Sequence, residues 1–261
     1  MDDAGETIRR SYRGDGLAFP IPVLKSVEAE HYRTCCEELE ARLGGRPRTI
    51  EVRQMHFHFP WAHGLATHPR ILAAVSQVLG SDLLIWATEL FAKPPEDATV
   101  SIGWHRDRPY LGIDPRWCAT AWVALADSTV ENGCMHAVPG ADHRTRALDP
   151  RDAVAVVLRA GEMSLHDAEI WHGSGPNRSP RKRVGFAIRF LSPRAGPLRG
   201  RPPVMIARGT ASREDYRLVE PPVEVGWESA VAALKNSARR HLDALLDNVR
   251  DIRPAASRPA T

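Results

Sequence analysis

No run in this chain approaches the roughly 20 apolar residues that a membrane-spanning helix requires. The opening Met1-Asp2-Asp3 is acidic, with no hydrophobic stretch behind it, and so does not resemble a secretion leader. Cysteine is scarce. Cys35, Cys36, Cys118 and Cys134 form no Cys-x-x-Cys pair, and the adjacent Cys35 and Cys36 lie in a helix-like segment as small apolar groups, which fits a reducing cytoplasm. Charge is nearly balanced: 35 Lys and Arg against 32 Asp and Glu give +3 over 261 residues. No basic cluster interleaves with aromatics, so a nucleic-acid footprint is missing. There is no internal repeat, low-complexity tract or long linker. These absences predict a soluble, cytoplasmic, single domain over residues 1–261, with a small-molecule partner, no nucleic acid and no membrane; they leave the oligomeric state open.

The positive signals begin with helices. Ser26 is placed to cap a helix to about Leu43, with Val27, Tyr32, Cys35, Cys36, Leu39 and Leu43 on its apolar side and Gly44 and Gly45 stopping it. A second follows Thr67, where Ile71, Leu72, Val75, Val78 and Leu79 recur at helical spacing before Gly80. Between about 82 and 191 the pattern changes to short runs broken by Pro, Gly, Asn and Asp: Leu83 to Ala92, Thr99 to Trp104, Cys118 to Ala126, Met135 to Val138, Ala153 to Leu158, Glu162 to Leu165 and Val184 to Leu191. That density of short strands predicts a mainly β core of sandwich or jelly-roll type with flanking helices, in place of alternating βαβ units. The Pro-, Arg- and Gly-rich segment after Ser192 reads as a surface excursion covering a sheet edge. Helical periodicity returns over about 227–249, and residues 253–261 read as a loose tail.

One split set of side chains points to chemistry. His105-Arg106-Asp107 closes a strand-like run, and side chains two apart on a strand share a face, so His105 and Asp107 can converge on one ion while Arg106 points away. His-x-Asp alone is a common pair. His172, far along the chain, supplies a third donor, and two neutral imidazoles with one carboxylate form the facial set that holds non-haem Fe(II) with positions left open for co-substrate and dioxygen. Downstream, Val184, Phe186, Ile188 and Phe190 bury one side of a strand. Arg183 and Gly185 therefore share the other side, where a guanidinium fork suits a carboxylate.

Several ordered motifs carry a resemblance. Phe91-Ala92-Lys93-Pro94-Pro95, Trp104-His105-Arg106-Asp107, Thr120-Ala121-Trp122-Val123-Ala124-Leu125, Glu131-Asn132-Gly133-Cys134-Met135, Val138-Pro139-Gly140 and His172-Gly173-Ser174-Gly175-Pro176-Asn177 resemble, in this order, the phytanoyl-CoA dioxygenase family of Fe(II)- and 2-oxoglutarate-dependent dioxygenases, over about Met55 to Arg208. The resemblance implies a double-stranded β-helix (jelly roll, cupin-like), iron held by His105, Asp107 and His172, and 2-oxoglutarate held by Arg183 and Ser174 with Trp122 beside it. It implies hydroxylation of a small molecule, in secondary metabolism, with dioxygen as oxidant. Relatives that halogenate carry a small residue where Asp107 stands, so the carboxylate favours hydroxylation. Desaturation, cyclisation or epimerisation at the same centre, and a non-catalytic jelly-roll binding protein, are the competing readings.

One departure from the family pattern stands out: the stretch after Pro139 to His143 lacks the long insertion that covers the active site in many relatives. The loop Met55-His56-Phe57-His58-Phe59-Pro60-Trp61 then becomes the candidate substrate wall. Plain core packing of Trp122, and a structural role for the loop histidines, compete with those functional readings.

Overall fold

The computed structural model of the chain describes residues 3–45, 47, 49–108, 112–197, 200–212 and 214–237. Helices lead the chain: α1 (Asp3–Asp15), α2 (Ser26–Arg42), α3 (Pro60–Ala66) and α4 (Pro69–Leu79), with strand β1 (Leu17–Pro22) between the first two. The strands that follow are β2 (Leu83–Lys93), β3 (Ile102–His105), β4 (Cys118–Ala124), β5 (Met135–Val138), β6 (Val154–Val156), β7 (Glu162–Asp167), β8 (Trp171–Ser174), β9 (Arg183–Leu191), β10 (Pro203–Arg208) and β11 (Arg217–Leu218). A helical stretch over residues 227–237 comes last among the described residues. The predicted continuation to 249, and the tail, lie outside them.

Two sheets face each other, as a jelly roll requires. The larger runs β1-β7-β4-β9-β2-β10-β11 and the smaller β3-β8-β5-β6. All pairings are antiparallel except β10 with β11. Among the described residues no ladder joins the sheets, so the mainly β, helix-flanked fold is an open sandwich and not a closed barrel.

Residue alternation decides which face does what. In β9, Val184, Phe186, Ile188 and Phe190 enter the core that α1 to α4 cover, together with Ala119, Ala121 and Val123 of β4 and Leu165 of β7. Each of these Val, Leu, Ile and Phe side chains, fully buried, is worth about 1.5–3 kcal/mol. The opposite face of β4 and β9 carries Trp122, Ala124 and Ala187, which pack against Met135 and Ala137 of the smaller sheet. That inner face also carries Arg183 and Arg189, and every residue of β9 is buried.

Several details depart from the sequence reading. Lys25 is the residue that caps α2; its backbone N–H donates to Glu28 Oε2 at 2.7 Å, and Ser26 is the first helical residue. Val27, assigned to the apolar side, is 69% exposed, and the buried side is Ala29, Cys36, Leu39 and Glu40. The helix α1, the helix α3 and strands β1, β8 and β10 were not expected. The segment after Ser192 does cover a sheet edge, because β10 pairs with β2. Among the described residues no helix is long and apolar enough to cross a membrane, and the four cysteines are free.

Candidate metal centre

Cross-strand register builds this site. On the smaller sheet His105 of β3 lies directly opposite His172 of β8, and such partners have Cβ atoms about 5 Å apart. Their rings accordingly approach to 4.2 Å between centroids. The larger sheet supplies a transverse row: Thr120 of β4 stands opposite both His166 of β7 and Arg189 of β9. Asp107, just past β3, rests on that row. Thr120 Oγ1 donates to its Oδ2 at 3.0 Å, Arg189 Nη2 donates to its Oδ1 at 3.2 Å, and His166 Nε2 lies 4.0 Å from Oδ2. One ligand atom from each of His105, Asp107 and His172 falls within 4.8 Å of the others.

Backbone carbonyls orient both imidazoles. His105 Nδ1 donates to the Gly103 carbonyl at 2.9 Å and His172 Nδ1 to the Ile170 carbonyl at 3.1 Å, so in each ring Nε2 is the nitrogen turned to the site. Burial lowers His172 to about 4 against the opposing pull of Asp107, and burial with His172 lowers His166 to about 3, so both rings are neutral at pH 7. Burial alone would raise the Asp107 carboxyl, but Arg189 and the imidazoles overcome it and hold the group far below the ordinary carboxylate range. Two imidazoles, that of His172 neutral, and an ionised carboxylate converging in a protein interior fit Fe(II).

A second cluster lies at the far end of the pocket. Arg183 and Lys93 are opposite one another on β9 and β2. Both are buried, and both donate to the Gly133 carbonyl, Lys93 at 3.2 Å. Lys93 Nζ also donates to Ser174 Oγ at 2.6 Å and to the Gly175 carbonyl. Gly133 can present its carbonyl because φ is +74° and a Cβ there would lie 2.4 Å from the Gly175 oxygen, a combination only glycine accepts. Arg183 Nε is buried with no partner among the described residues, and its guanidinium lies 5.2 Å from the Trp122 ring centroid. Burial lowers Arg183 to about 10, and burial with the neighbouring Arg183 lowers Lys93 to about 7. Two buried basic groups that share the Gly133 carbonyl, with the Ser174 hydroxyl beside Lys93, suit a carboxylate.

Arg183, Ser174, Trp122, His105 and His172 line one pocket of about 50 Å³ with Phe91, Ile102 and His166. A larger cavity of about 430 Å³ adjoins it, sharing Phe91, Ile102 and Arg183 and bounded also by Lys93, Val52 and Glu40. The Met55–Trp61 loop lines neither cavity. Met55, His56 and Phe59 are buried, with His56 Nδ1 3.0 Å from Thr88 Oγ1, so the loop packs under the helices. Sequence reasoning missed Lys93, Thr120, His166 and Arg189. Strand parity carried a signal for three of them: Lys93 shares the face of Phe91, Thr120 that of Trp122, and Arg189 that of Arg183. Asn177 of the Gly-Pro-Asn motif is structural; its Nδ2 donates to the carbonyls of Lys93, Pro94 and Arg181 and ties the turn after β8 to the end of β2.

Known proteins share this fold. The non-heme monooxygenase ThoJ superposes with a TM-score of 0.83 at 31% identity, covering 94% of this chain and 99% of that one. The epimerase SnoN in complex with Fe3+, alpha ketoglutarate and nogalamycin RO superposes with a TM-score of 0.66 at 26% identity over 86% of this chain and 96% of that one. In sequence, a probable alpha-ketoglutarate-dependent hypophosphite dioxygenase of Stutzerimonas stutzeri is 26% identical over 171 residues, 57% of this chain and 59% of that protein. The chain spans 37% of the phytanoyl-CoA dioxygenase of Arabidopsis thaliana. The family described as phytanoyl-CoA dioxygenase (PhyH) matches residues 45–185, the segment that holds His105, Asp107, His172 and Arg183, and the chain belongs to that family.

Proposed function

We propose that the chain is an Fe(II)- and 2-oxoglutarate-dependent dioxygenase that hydroxylates a C–H bond of a small molecule, in secondary metabolism. The observation that carries this reading is the convergence of one ligand atom each from His105, His172 and Asp107, with His172 neutral and Asp107 ionised. Those three would hold the iron. Bound there, Fe(II) with 2-oxoglutarate and dioxygen supplies the oxidising chemistry. Arg183 and Lys93 would neutralise the distal carboxylate of 2-oxoglutarate, and the Ser174 hydroxyl, which accepts from Lys93, keeps its own proton to donate. Trp122 forms an apolar wall that limits water entry, and the rigid strands set the angle at which the co-substrate meets the iron ligands. The adjoining 430 Å³ cavity is within the usual range for small-molecule sites.

Reaction type is the open part of the proposal, since an epimerase and a carbocyclase from nogalamycin biosynthesis share the architecture at 28% and 27% identity. The test is a screen of candidate metabolites with iron, 2-oxoglutarate and air, reading succinate and product mass. Hydroxylation adds one oxygen atom; desaturation or ring closure removes two hydrogens; epimerisation leaves the mass unchanged. No succinate above the protein-free background with any metabolite would favour the non-catalytic binding protein.

A further inference from the structure

Behind the iron ligands runs a line of alternating charge that the proposed chemistry does not use. Arg53 Nε forms an ion pair with Glu89 Oε1, Arg189 Nη1 donates to Glu89 Oε2, and Arg189 Nη2 reaches Asp107 Oδ1 at 3.2 Å. The order is cation, anion, cation, anion, with side chains 14%, 1%, 11% and 3% exposed. The backbone enforces the sequence of contacts. Glu89 sits on the inner face of β2 opposite Ala187, two residues from Arg189 along β9, while Arg53 is bridged to Glu89 outside the regular sheet and Gln54 N–H donates to the Thr88 carbonyl at 2.7 Å.

We propose that Glu89 is a positioning residue of the metal centre, acting through Arg189 on Asp107. Resting on the iron-binding reading above, the argument has two parts. First, the two Asp107 oxygens have separate donors, Arg189 on Oδ1 and Thr120 on Oδ2, and this fixes the carboxylate's rotation. Arg189 can serve as the Oδ1 donor only while Glu89 grips its other nitrogen. Second, a guanidinium beside a ligating carboxylate draws electron density from it and repels a dication. Glu89 cancels that field without removing the hydrogen bond, and Arg53 in turn balances Glu89, so no net charge is left buried. Outer partners of this kind typically set metal affinity by about 10- to 100-fold.

Co(II) binding to the purified full chain tests this, read as a dissociation constant and as the visible ligand-field spectrum. Glu89→Gln is expected to bind Co(II) at least about tenfold more weakly than wild type with a changed spectrum. Glu89→Gln with Arg189→Gln is expected to bind Co(II) more tightly than Glu89→Gln alone but less tightly than wild type, because the uncompensated cation has gone and the Oδ1 donor has gone with it; a residue that merely packs would give no such rescue. If Glu89→Gln does not fold, Glu89→Asp, which keeps the charge and shortens the reach, is expected to show the same weakening. Wild-type affinity and spectrum in either folded single variant, or a double variant as weak as the two losses multiplied, overturns the assignment. A wild-type chain that binds no Co(II) at all would instead sink the proposed function.

Discussion

The indole of Trp122 lies against the bare Cα of Gly185 on the neighbouring strand, so closely that a methyl group at 185 would fall 1.8 Å from Trp122 Cζ2. Glycine there is what lets the indole reach across to Arg183. Gly185→Ala is therefore expected to push Trp122 off the guanidinium, costing about 1–3 kcal/mol of stability as overpacking and raising the KM for 2-oxoglutarate. Thermal denaturation and succinate-release kinetics check both; a variant with unchanged melting and unchanged KM contradicts the contact.

Arg183 is buried, with one face to Trp122 and its Nε unpartnered. In Arg183→Lys the charge survives but the planar fork is lost. Each charge-assisted hydrogen bond removed is worth about 1.5–3 kcal/mol, so the KM for 2-oxoglutarate is expected to rise by about tenfold or more with kcat little changed. Arg183→Ala is expected to raise it further.

Lys93 gives a pH dependence with a definite sign. Its folded value of about 7 lies below the ordinary 10.5, so the free protein carries the ammonium below pH 7 and sheds it above. Affinity for 2-oxoglutarate is expected to be flat below pH 7 and to fall by up to about tenfold per unit above it. Without ligand, the unfolded chain binds more protons between the two values, so stability from this group rises with pH over that window. Titration calorimetry across pH 6 to 9 reads the first effect, and Lys93→Met should weaken binding at pH 6 and flatten the profile.

The three residues proposed to hold iron could be picked out of the sequence because each belongs to a period-two pattern or a dense motif. His105 and Asp107 are separated by one residue at a strand end, and Arg183 begins an apolar alternation. The groups that hold them were not legible. Arg189, Thr120 and His166 meet only through register, and register between β4, β7 and β9 is a tertiary fact that no single strand displays. Glu89 carried no sequence signal because its two arginines come from positions 53 and 189. The helix α1 was missed because its sequence, DAGETIRRSYRGD, carries little apolar residue of its own and packs through Tyr12 and Ile8. Strand β8, only Trp171–Ser174, is too short to show alternation.

The measurement closest to the central claim is an anaerobic titration of the purified chain with Fe(II), followed by 2-oxoglutarate. The wild type is expected to bind one Fe(II) per chain and to develop a weak visible charge-transfer band when 2-oxoglutarate is added, whereas His172→Ala is expected to do neither. A wild-type protein without stoichiometric Fe(II), or a His172→Ala protein that gives the same band, contradicts the account.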